Sequence, residues 1–139
     1  MKPYYLAGPM SGLPQLNFPA FDAAAIELRE MGYDIMSPAE VDDEETRAAA
    51  LLSDGELTDR GTWGDFLSRD IKLLIDECRD IILLPGWEKS RGARLEAFTA
   101  INCGYMVYCY YPEYFILAAM NYTTILYMMT EELRRDLTD

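Results

Sequence analysis

Short apolar runs alternate along this chain with stretches of helical spacing. YYLA at 4–7 ends at Gly8-Pro9, YDIM at 33–36 ends at Ser37-Pro38, RDIILL at 79–84 ends at Pro85-Gly86, and YMVYCY fills 105–110. Runs this short, bounded by turn residues, read as buried strands. Between them the apolar period lengthens. Residues 19–31 carry apolar side chains three or four apart, with Pro19 in the first turn and Gly32 just beyond the last, which predicts a helix. Trp63, Phe66, Ile71, Leu74 and Ile75 predict a second over 63–77, and a third covers 92–103 and stops near Gly104. The acidic stretch 39–62 reads as a long, partly helical connection. Residues 113–137 turn from apolar to charged, which predicts one or two helices with a strand at 123–129.

Strands alternating with helices at this spacing define an α/β chain of βαβ units around a parallel sheet of four to five strands. At 139 residues it is expected to form one domain, residues 1–139, with a core large enough to need no staples. The net charge of −12 opposes binding to a nucleic-acid polymer, so no such partner is expected. Three Cys without C-x-x-C spacing read as buried thiols in a reducing compartment. No secretory leader is visible, and a cytoplasmic location is expected. The apolar segment 101–130 is split by Pro112, Glu113 and Asn121, which leaves no run near the ~20 residues of a membrane span. It is rich in Tyr and Met, as interface cores are, so a homodimer or larger homo-oligomer is expected.

The chain contains no His, so acid–base or nucleophilic chemistry falls to carboxylates, Tyr, Ser or Cys. In a parallel sheet ordered 2-1-3-4, the loops after the first and third strands meet at the switch point, where ligands bind. The first loop is Gly8-Pro9-Met10-Ser11-Gly12. The second runs from Gly86 and Trp87 through Ser90, Arg91 and Gly92 to Arg94, and is locally basic in an acidic protein. It opens into a helix, whose unpaired N–H groups and dipole favour an anion. A solvated turn uses the same residues. Glu96 lies one turn into that helix. The dipole and the nearby Arg favour its ionised form, which suits a nucleophile, although a surface Glu is common there. Asp70, in the preceding helix, is a second carboxylate, or else an ordinary partner for a neighbouring cation. Tyr5, in the first strand, is a site residue or core packing.

The pieces YYLAGPMSG, NFPAF, SRDI and LPGWEKSRGARLEA, spread over residues 4–104, resemble the nucleoside 2-deoxyribosyltransferase-like superfamily, and most of all a branch found in phages and bacteria. The most specific piece is Ser90-x-Gly92-x-x-x-Glu96-x-x-x-Ala100. The resemblance implies a flavodoxin/Rossmann-like three-layer sandwich, Glu96 as nucleophile, Asp70 assisting it or the leaving base, and Tyr5 and the loop Gly8 to Gly12 against the substrate. It implies N-glycosidase action on a (deoxy)nucleoside 5′-monophosphate through a covalent glycosyl-enzyme, with no cofactor and no metal. It also implies that a neighbouring subunit can complete the site. Two related readings are a deoxyribosyltransferase that exchanges bases and a nucleotide-binding protein that sequesters its ligand. The chain departs from the transferases in having Gly86 where they carry an acid, and Ala97-Phe98 follows Glu96 in place of Leu-Gly. It departs from the monophosphate hydrolases in lacking an Arg in the first loop, where Arg91 or Arg94 would have to substitute.

Overall fold

The computed structural model describes residues 1–55 and 63–138. The elements follow in the order β1 (Tyr4–Ala7), α1 (Phe18–Glu30), β2 (Ile35–Met36), α2 (Pro38–Val41), α3 (Glu44–Leu51), α4 (Trp63–Glu77), β3 (Asp80–Leu83), α5 (Arg91–Asn102), β4 (Val107–Tyr111), β5 (Ile116–Met120) and α6 (Tyr122–Thr138). The strands form one sheet in the order β2-β1-β3-β4-β5, parallel throughout except for β5, which runs antiparallel to β4. The fold is therefore a mixed α/β, Rossmann- or flavodoxin-like sandwich, with β1 and β3 adjacent at its centre as the pattern predicted. The tail of the predicted 39–62 connection, residues 56–62, lies outside the described residues.

Alternation along the strands sorts side chains into two cores. Tyr5, Ala7, Ile81, Leu83, Val107 and Cys109 belong to the cluster that also contains Leu74, Ala93, Ala97, Ala100 and Ile125 of α4, α5 and α6. Leu6, Ile82 and Tyr110 belong to the opposite cluster, with Phe18, Phe21, Ala25 and Leu28 of α1. Both faces of the sheet are covered, which is why these strands read as continuous apolar runs rather than alternating ones.

Two expectations need correction. The predicted strand at 123–129 is helical and falls in α6; the fifth strand lies earlier, at Ile116–Met120. Asn121 decides the boundary, because its side-chain oxygen accepts the Thr124 N–H at 2.8 Å and caps the helix start. That cap and the packing of Ile125 and Met129 outweigh the β-propensity of Thr-Thr-Ile-Leu-Tyr. The thiols are not all buried either: Cys78 and Cys109 are, but Cys103, at the exposed end of α5, faces solvent.

Candidate functional site

Carboxylates occupy core positions on two neighbouring helices. On α5 the buried face is Ala93, Glu96, Ala97 and Ala100, a helical stripe of small residues into which Glu96 is set. Glu96 is 6% exposed. On α4 the buried residues are Asp70 and Leu74, one turn apart. Asp70 is 8% exposed. The small side chains of α5 let it lie close to the sheet, so that Tyr5 of β1, fully buried, donates its phenolic O–H to Glu96 Oε2 across 91 residues of sequence.

The two carboxyls line a pocket at the carboxyl ends of β1 and β3, with Tyr5 buried behind Glu96. Gly8, Met10 and Ser11 form one side, Ser90 and Gly92 at the start of α5 another, and Asp70 and Glu96 lie in its wall. Ser90 caps α5, its Oγ accepting the Ala93 N–H at 3.2 Å. Leu16, Phe18, Trp63 and Phe66 supply an apolar surface opposite. Leu16 reaches it through a turn in which Gln15, Leu16 and Asn17 all adopt positive φ, near 50–60°. Such strain persists only where neighbours hold it. Here Gln15 N–H donates to Ser53 O at 2.7 Å and Asn17 Nδ2 donates to Pro9 O at 2.9 Å.

The electrostatics differ from the sequence expectation. Dipole and cations were expected to keep Glu96 ionised. Instead burial raises its pKa from 4.5 to about 8; the Tyr5 hydrogen bond pulls it down, and Asp70 pushes it up further. Desolvation outweighs the dipole because the carboxyl is enclosed in the core, not set at the exposed first turn. Asp70 rises from 3.8 to about 6, mainly by burial and against the pull of Arg69, with Asp42 adding to the rise. Tyr5 is raised well above 10 by burial and by Glu96. Between about pH 6 and about pH 8, then, the two buried carboxyls share one proton.

Ser90 and Gly92 of the cationic loop line the pocket, but its cations Lys89, Arg91 and Arg94 do not. Arg94 turns toward α6: Nη1 donates to Glu88 O at 2.8 Å and Nη2 pairs with Asp136 of α6 at 2.8 Å. Arg91 lies over the Trp63 ring, 5.2 Å from its centroid, and is not among the pocket's lining residues. Arg94 follows the α6-facing side of α5 and Arg91 lies exposed at its start against Trp63 of α4, whereas the pocket meets α5 at Gly92, which approaches Leu67. Trp87 is buried in the α4–α6 core. Pro9 and Gly86 line a separate cleft beside α1, and Gly12 hydrogen-bonds through its N–H to Gly55 O at 2.7 Å.

Sequence reasoning passed over Arg69 and Asp42. Arg69 lines the pocket and donates from Nε and Nη2 to Asp70 Oδ1 at 2.9 and 2.8 Å, and from Nη1 to Asp42 Oδ1. Its guanidinium also lies 5.4 Å from the centre of the Phe66 ring. The adjacency of Arg69 and Asp70 in SRDI was a visible signal, whereas Asp42, 27 positions away, carried none.

The chain belongs to the DUF4406 family, described as a domain of unknown function, whose profile matches residues 2–109. The match covers every residue of the Tyr5–Glu96–Asp70 cluster and stops before β5 and α6. No curated protein and no solved structure matches the chain. Among the described residues no helix is long and apolar enough to cross a membrane.

Proposed function

We propose that this pocket cleaves the N-glycosidic bond of a (deoxy)nucleoside 5′-monophosphate, with Glu96 as nucleophile and Asp70 as proton donor to the leaving base. The observation that carries this reading is the pair of buried carboxyls, Glu96 and Asp70, in the wall of an apolar pocket, with Glu96 bonded to the Tyr5 phenol and burial raising the pKa of both. Retaining glycoside chemistry needs that inventory: one carboxylate to attack and one carboxylic acid to protonate. The Glu96 carboxylate attacks C1′, the C1′–N bond breaks, its electron pair leaves with the base, and the Asp70 proton goes to the base. A water then attacks C1′, gives a proton to Asp70, and the electrons of the ester bond return to Glu96. Base and sugar 5-phosphate are released and both carboxyls are restored.

In the empty pocket the proton rests on Glu96. Moving it to Asp70 spans about two pH units, or ~3 kcal/mol, which positive charge developing at C1′ beside Glu96 offsets. Phe18, Phe66 and Trp63 would stack the base. Ser11, Ser90 and the N–H groups at the very start of α5 would add hydrogen bonds to the phosphate.

A second reading is retention of an intact nucleotide without turnover, favoured by the proton that Glu96 keeps at neutral pH. Chromatography separates the two. Ribo- and deoxyribonucleosides and their 5′-monophosphates are incubated with the wild type and with Glu96→Gln. Free base from the wild type alone supports hydrolysis. Intact nucleotide bound to the folded wild type, with no base released, sinks it. Release of base only when a second base is supplied would instead mark base transfer.

A further inference from the structure

We propose that Arg69 is the anion receptor of this pocket, and that an oxyanion bound to it, such as a phosphate or sulfate group, drives a proton onto Asp70. This deepens the reading above, and only its consequence for catalysis rests on that reading. Arg69 is the one cation among the described residues that line the pocket. A guanidinium has five N–H groups, and the described partners take three of them, two to Asp70 and one to Asp42. The remaining N–H groups can meet an incoming oxyanion, and the Phe66 ring 5.4 Å away holds the guanidinium plane in place while they do.

Charge then couples the anion to a proton. Arg69 is already shared by two carboxylates, both nearly enclosed: the side chains of Asp42 and Asp70 are 8% and 12% exposed. A third negative group raises the cost of keeping all of them ionised in a low-dielectric wall. Asp70 is the group that yields. It faces Arg69 on its own helix, Asp42 after α2, Tyr5 of β1 and Glu96 of α5; Arg69 alone among these favours its charge. An anion that draws on Arg69 weakens that support. Protonation removes one negative charge and leaves the Arg69–Asp42 pair to hold the ligand. By linkage, the anion binds more tightly as pH falls toward and below the Asp70 value of about 6. For a phosphorylated substrate the phosphate loads the acid that the leaving base requires; a neutral Asp70 no longer raises the Glu96 pKa, so Glu96 can release its own proton to solvent and the pair returns to the one proton that turnover needs.

Sulfate tests the coupling because it does not itself titrate near neutrality. Calorimetry of sulfate binding at pH 7, in two buffers of different ionisation enthalpy, counts protons. The wild type should bind sulfate with uptake of up to about one proton. Arg69→Gln should lose the binding, Arg69→Lys should weaken it, and Asp70→Asn should bind sulfate with no proton uptake. Asp42→Asn, which removes a competing carboxylate, should bind several-fold tighter. Asp70→Asn and Asp42→Asn decide the matter if Arg69→Gln does not fold. Sulfate binding by the wild type without proton uptake, undiminished binding by a folded Arg69→Gln, or no binding by the folded wild type each overturns the proposal. The outcome is independent of base release. An enzyme that releases base but takes up no proton refutes this coupling alone, and coupling without base release refutes the glycosidase reading alone.

Discussion

Replacing Glu96 by Gln should stabilise the empty protein, by an amount that grows with pH. The folded chain holds the Glu96 proton up to about pH 8, whereas an unfolded Glu releases it near 4.5. The folded state therefore binds more protons across that interval, and stability falls as pH rises through it. Below 4.5 both states are protonated and the carboxyl costs nothing extra. Each pH unit is worth ~1.4 kcal/mol, so the full interval sets a ceiling of ~5 kcal/mol. Water entering from the pocket lowers this, and an expected gain of ~2–3 kcal/mol near pH 8.5 is more realistic for a side chain at a pocket wall. In a domain of this size that corresponds to roughly 6–10 °C in melting temperature. Gln is isosteric and its carbonyl can still accept the Tyr5 hydrogen bond, so no cavity confuses the comparison. The assay is thermal or urea unfolding of both proteins from pH 4 to pH 9. Asp70 titrates in both and largely cancels. The difference should be small near pH 4.5 and widen up to about pH 8. A difference that stays flat, or that favours the wild type at high pH, would refute the reasoning that burial governs this carboxyl.

Two further expectations concern the same cluster. Base release should follow a bell-shaped pH profile with limbs near 6 and near 8, because the reaction requires one proton on the pair; a profile rising steadily past pH 9 would contradict it. Tyr5→Phe removes the hydrogen bond that lowers the Glu96 pKa, so the alkaline limb should move upward and the fold should lose ~1–3 kcal/mol, read from the same profile and from urea unfolding; an unmoved limb would mean that the phenol does not govern the carboxyl.

Much of the architecture was legible because it rests on local periodicity. The four parallel strands, the helices α1, α4 and α5 and the central pairing of β1 with β3 follow from run lengths, turn residues and the rules for parallel sheets. Glu96 and Asp70 were also singled out in the sequence, Glu96 for its place one turn into the helix after the glycine-containing loop and Asp70 as a second carboxylate in the preceding helix; their burial beside Ala93, Ala97, Ala100 and Leu74 was not. The fifth strand was misplaced because 113–137 holds competing signals. A single side-chain cap at Asn121 and the packing of α6 settle them, and neither is expressed by propensity.

The sequence by itself determined which residue types could carry chemistry and in which layer they would lie: no His, carboxylates on two helices, and two glycine-containing loops at one end of a parallel sheet. The tertiary structure alone decided how those groups are charged and which cation serves them. Proton affinity depends on burial and on neighbours drawn from distant parts of the chain, so Glu96, expected to be ionised, is an enclosed carboxyl bonded to Tyr5 whose pKa burial raises. A long arginine reaches whatever its helix face allows. Arg91 and Arg94, adjacent to the site in sequence, turn to Trp63 and Asp136, while Arg69, on another helix, holds the pocket's carboxylates.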